Sequence, residues 1–127
     1  MTKILIVDDD KSTTLLLEII LSKDKYEIAT VNNSNEALST ALLYGPDLIL
    51  LDLMMPGISG LEVCRNLRAE PQFARIPIIF FTSIGNIEEK VAAFGSGATD
   101  FITKPVHPDE LKIRIKALLS QSEYINE

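Results

Sequence analysis

Hydrophobic residues gather in five short runs, KILIV (3–7), YEIAT (26–30), DLILL (47–51), PIIFF (77–81) and TDFIT (99–103), separated by longer mixed segments. Some runs, LILL and IIFF above all, are continuously apolar rather than alternating. That pattern suits strands buried on both faces of a parallel sheet. The segments between them carry apolar residues at helical spacing, and their ends are punctuated. Asn33 with Glu36, and Ser59 with Glu62, have the spacing of capping boxes, which satisfy free N–H groups at a helix start. Asp10 suits an N-cap. Gly45-Pro46 should close the second helix, and Pro108 suits the first position of the last.

The pattern predicts a strand–helix unit repeated five times, from residue 3 to about residue 120. The fold class is therefore α/β, a doubly wound (βα)5 sandwich. Right-handed crossovers place helices on both faces of a five-stranded parallel sheet. A chain of 127 residues with 46% hydrophobic composition suits one such domain. Its expected extent is 1–120, with QSEYINE (121–127) as a polar tail or the start of a linker.

In open α/β sheets ligands bind beyond the carboxyl ends of the strands. The residues there are Asp8, Asp9 and Asp10 after the first run, Asp52 after the third, Thr82 and Ser83 after the fourth, and Lys104 after the fifth. Three consecutive carboxylates at one strand end repel one another, about 3 kcal/mol for a pair roughly 5 Å apart at an effective dielectric near 20. A divalent cation is the economical compensation.

An acid pair after the first strand, an aspartate after the third followed by LMMPGISG, then TS and KP, resemble the receiver domain of two-component response regulators, of the chemotaxis-response-regulator type. The resemblance covers essentially the whole chain and implies the strand order 2-1-3-4-5. It implies that Asp52 is a phosphoacceptor whose carboxylate forms an acyl phosphate. It implies Mg²⁺ held directly by Asp9 and Asp52 and by the backbone carbonyl of Met54, with Asp8 acting through a bound water. Thr82 and Lys104 would contact the phosphoryl oxygens, and Thr82 with Phe101 would form the switch pair, the ring turning inward after phosphorylation. A cis bond before Pro105 would aim Lys104 inward. The implied partners are a histidine kinase or phosphotransfer protein and a downstream effector or fused output domain, met on the face of the fourth helix, fifth strand and fifth helix. The positions flanking the approach of a hydrolytic water are Met54 and Ile84, both apolar, which implies slow self-dephosphorylation.

Other residues narrow the picture. A net charge of −6 with no dense Lys/Arg block speaks against direct nucleic-acid binding. No run of 18 apolar residues suits a membrane span, and four aliphatics before Asp8 are too few for a signal-peptide core. A single cysteine, Cys64, excludes an internal disulfide and fits a reducing cytoplasm; its spacing from Leu61 and Leu67 suggests a core position. His107 reads as an exposed or capping residue. Leu15, Leu16 and Leu17 are consecutive and span about 200° of a helix, so at least one should be exposed beside the acidic cluster. The alternative function is a haloacid-dehalogenase-like phosphatase, in which Asp8 of DDDKS would be the nucleophile and Asp52 would have no role.

Overall fold

The computed structural model describes the backbone of residues 1–83 and 86–126, with side chains as far as residue 121. The elements in chain order are β1 (Lys3–Val7), α1 (Lys11–Ser22), β2 (Glu27–Val31), a 3₁₀ turn (Ser34–Glu36), α2 (Ala37–Tyr44), β3 (Leu48–Asp52) and α3 (Gly60–Arg68). A second 3₁₀ turn (Pro71–Phe73), β4 (Ile78–Thr82), α4 (Ile87–Gly95), β5 (Asp100–Thr103) and α5 (Pro108–Asn126) complete the order. The strands form one parallel sheet in the order β2-β1-β3-β4-β5, the order that the family resemblance implies.

The continuous apolar runs follow from a sheet covered on both sides, since successive strand residues point to opposite faces. Leu5, Val7, Ile49, Leu51, Ile78 and Phe80 face α2, α3 and α4, where they meet Ala41, Val63, Leu67 and Ala93. Ile4, Ile6, Leu48, Leu50, Ile79 and Phe81 face the other way, onto Leu17 and Leu21 of α1 and Leu111 and Ile115 of α5. Cys64 is fully buried among the first set, its thiol 3.4 Å from the Ser96 carbonyl.

β1 coincides with its hydrophobic run, while β2, β3, β4 and β5 each begin one residue later than theirs. Pro77 has no N–H to give a ladder, and supplies only its carbonyl, to the N–H of Ile49 (3.0 Å). Asp47 is held at the sheet edge by Lys3, whose N–H donates to its carboxylate (2.9 Å). Caps fall largely where expected. Asp10 accepts from the Ser12 N–H (2.9 Å), Ser59 Oγ accepts from the Glu62 N–H (3.3 Å), and Gly45 ends α2 at φ 69°. His107 Nδ1 accepts from the Asp109 N–H (3.2 Å) at the start of α5. Asn33 differs. Its side chain accepts from the Asn35 N–H (3.0 Å) and opens the 3₁₀ turn, while Glu36 N–H bonds back to the Asn33 carbonyl (3.0 Å). A tight i→i+3 bond thus uses the N–H that a capping box would have satisfied. The segment beginning at residue 121, read from sequence as a tail, continues α5 through Asn126; it contains no Gly or Pro to stop a helix.

Candidate functional site

The carboxyl ends of β1, β3, β4 and β5 bring the predicted groups together. Asp8 follows β1 and is 1% exposed; its backbone N–H donates to the Val31 carbonyl (3.0 Å) and its Oδ1 accepts from the Asp10 N–H (2.9 Å). Asp52 ends β3, buried, and Asp9 stands exposed beside it. Asp8, Asp9 and Asp52 can each offer a carboxylate oxygen within 4.8 Å of the others. Asp10 points elsewhere, into its cap. Its pKa lies below the ordinary range because N–H and hydroxyl donors of Ser12 and Thr13 stabilise the charge.

Lys104 reaches this cluster from β5. The peptide bond to Pro105 is cis, and the Lys104 N–H donates to the Thr82 carbonyl (2.8 Å). Its ammonium lies 2.9 Å from Asp8 Oδ2 and 3.7 Å from Asp52 Oδ2, so at rest it pairs more closely with Asp8 than with Asp52. The ammonium also sits 5.0 Å from the centre of the Phe81 ring. Thr82 ends β4, 1% exposed.

One cation among three carboxylates leaves the site under-neutralised. The Asp52 carboxyl is pushed up to about 6, first by burial and then by the Asp8 charge, against the opposing pull of Lys104 and the Met54 N–H. Asp9 is also raised, by desolvation and by Asp8. Clustered hard oxygen donors with residual negative charge fit a small divalent cation such as Mg²⁺, so the donor set agrees with the metal expected there.

Phe101 takes a core position, which is compatible with a switch role. Its ring is already in the core, 8% exposed, in the cluster with Phe80 and Ala93, with the Lys90 ammonium 5.7 Å from the ring centre. Met54 is exposed, and Ile84 lies outside the described residues. On α1, Leu15 and Leu16 are each 57% exposed while Leu17 is buried.

The end of β2 was missed from sequence. Asn32 Nδ2 donates to the Asp8 carbonyl (2.8 Å) and to Thr14 Oγ1 (3.1 Å), and Ser34 Oγ donates to the Pro56 carbonyl (2.9 Å). The available signal was position. NNSN is a polar run at the same carboxyl edge as the four strand ends that did attract attention.

The family model described as the response regulator receiver domain matches residues 4–116. The transcriptional regulatory protein ResD of Bacillus subtilis is 44% identical over 128 aligned residues, covering 98% of this chain and 52% of ResD. The DNA-binding dual master transcriptional regulator RpaA of Synechocystis is 38% identical over 125, with 98% and 52% covered. The chain thus spans about half the length of these relatives. Among solved structures, a CheY-like response regulator receiver domain protein from Methanospirillum hungatei superposes with a TM-score of 0.92 at 28% identity, covering 98% of each chain.

Proposed function

The chain belongs to the response regulator receiver domain family, and from that premise we propose that it is a two-component phosphorylation switch whose acceptor is Asp52. The observation that carries this reading is the buried Asp52 carboxylate at the end of β3, flanked by Asp8, Asp9 and the Lys104 ammonium. A carboxylate oxygen of Asp52 attacks phosphorus, the bond to the donor's histidine nitrogen breaks, and that nitrogen leaves with the bonding pair. Such a transfer depends on in-line positioning and charge stabilisation more than on proton transfer. Lys104 exchanges its contact with Asp8 for a phosphoryl oxygen, and the Thr82 hydroxyl donates to another. Asp9, Asp52 and the Met54 carbonyl would hold Mg²⁺, with Asp8 acting through water; the ion would neutralise carboxylate and phosphoryl charge.

The donor is a histidine kinase or phosphotransfer protein that meets α1 beside the acid cluster. The domain is regulatory, and its only catalysis is self-directed, taking up and later hydrolysing its own phosphoryl group. The α4–β5–α5 face passes the state to an effector or fused output domain. ResD and RpaA are named as transcriptional regulators; any DNA contact belongs to the half of such proteins that this chain does not span, since no dense basic block lies here. No helix among the described residues is long and apolar enough to cross a membrane, and the cytoplasm is the proposed compartment. The phosphatase alternative has no support from the family match, and its nucleophile, Asp8, is buried against Lys104.

Acetyl phosphate, or beryllofluoride, supplied with Mg²⁺ tests the assignment. Wild type should become labelled or occupied and Asp52→Asn should not. Labelling that persists in Asp52→Asn overturns it.

A further inference from the structure

Asn32 and Ser34 lie two residues apart at the end of β2, and each reaches a different neighbouring loop. Asn32, half-buried, donates to the carbonyl of Asp8 at 2.8 Å. That carbonyl belongs to the peptide joining Asp8 to Asp9, so the bond fixes the plane from which the Asp9 side chain leaves the backbone. Thr14 Oγ1, on the buried side of α1, accepts from the same amide at 3.1 Å and keeps it in place. Ser34 is 3% exposed, and its hydroxyl donates at 2.9 Å to the Pro56 carbonyl, in the loop that follows Asp52 and carries Met54. Gly57 closes this corner. At φ +82° any side chain would be strained, and a Cβ would lie tight against Ser34 Oγ (3.2 Å) and Asn35 Oδ1 (3.3 Å).

β1 and β3 pair directly as far as Val7 and Leu51, which sets the base of the two loops that follow them. Beyond the strand ends lies an open pocket of about 320 Å³ whose lining includes Asp9, Asn32, Ser34, Pro56 and Gly57. In a packed interior, side-chain volume would also fix the spacing of the loop tips; across this pocket the hydrogen bonds of residues 32–34 hold it.

We propose that Asn32 and Ser34 are positioning residues for Mg²⁺, bracing the Asp9 loop against the Met54 loop without touching the ion. The proposal rests on the metal reading given above. Magnesium demands near-octahedral geometry at short oxygen distances, so a loosened spacing weakens binding even though every ligand remains. The brace is a chain of links in series. Releasing either end frees the spacing, and releasing both frees nothing more.

Calorimetric titration of Mg²⁺ into the whole chain tests this, with the unfolding midpoint in EDTA measured alongside. Asn32→Ala and Ser34→Ala should each raise the Mg²⁺ Kd by roughly three- to tenfold, and the double variant should be no weaker than the weaker single one. Asp9→Asn, which removes a ligand, marks complete loss. An unchanged Kd in either single variant that folds, or losses that multiply in the double variant, overturns the brace. If wild type itself takes up no Mg²⁺, the metal reading falls and the brace falls with it, a result distinct from a wild type that binds and variants that match it. Asn32→Ala alone decides the matter if the buried Ser34→Ala does not fold.

Discussion

Burial, and then the Asp8 charge, push the Asp52 carboxyl up from the ordinary 3.8 to about 6 in the folded chain. A group whose folded pKa is raised holds more protons in the native state than in the unfolded one. The metal-free protein therefore loses stability as pH rises from about 4 through about 6, by on the order of 2–3 kcal/mol. Asp52→Asn keeps the shape and removes the charge, while Lys104 keeps its 2.9 Å contact with Asp8. In EDTA at pH 7.5 this variant should unfold at higher urea than wild type, and the gap should close as pH falls toward 4. A gap that does not change with pH would assign no such cost to Asp52. Met54 sits exposed at the same mouth, and a thioether cannot orient a hydrolytic water as an amide or carboxylate can. Met54→Asn/Ile84→Glu should accordingly shorten the phosphoprotein's lifetime at fixed Mg²⁺. Decay that is unchanged or slower would show that these two side chains do not set it.

Arg68, the last residue of α3, joins more elements than any single contact in the sequence suggests. Its Nε donates to the Gly97 carbonyl (2.9 Å), its Nη1 to the Phe73 and Ile76 carbonyls (2.8 and 2.6 Å), and its Nη2 to Thr99 Oγ1 (3.3 Å). Gly97, at φ +113°, leaves the space in which the guanidinium stem lies. Burial pulls the Arg68 pKa down, yet an arginine stays charged. Arg68→Ala strands these carbonyls, at about 1–3 kcal/mol for a buried acceptor left unpaired, so urea unfolding should show a loss of about 2–4 kcal/mol. Arg68→Lys lacks the fork and should recover less than half. A loss below about 1 kcal/mol for Arg68→Ala would mean water replaces the guanidinium. Elements were legible in the sequence where a side chain announces its own role, as Asp10, Ser59, Gly45 and Pro108 do. Arg68, Asn32 and Ser34 were not, because most of their partners are backbone carbonyls, which every residue type carries. The αL turn at Lys25 (φ 65°) escaped for a related reason, since no Gly or Asn marks it.

At the scale of the molecule, the layers were legible because β3 and β4 are covered on both faces and so read as unbroken apolar runs. The strand order came only from resemblance, since periodicity says nothing about which strands are neighbours. The exposed side of α1 was half legible. Three consecutive leucines required at least one outside, and the structure leaves two, Leu15 and Leu16, with Ile19 also 49% exposed. Leu16→Glu should slow phosphotransfer from a protein donor and spare acetyl phosphate; equal slowing of both would exclude docking there. The parallel sheet also has a consequence for how this chain can change over generations. The acid cluster, Thr82 and Lys104 sit at the carboxyl rim, whereas Arg68 fastens the opposite rim, where Ile76 and Thr99 lead into β4 and β5, about 16 Å away at roughly 3.3 Å per strand residue. Sites that far apart with no shared partners have nearly additive effects. Substitutions that retune donor choice or signal duration at one rim can therefore accumulate while the other rim holds a reserve of stability, and a lineage can explore new wiring without first inventing a new scaffold.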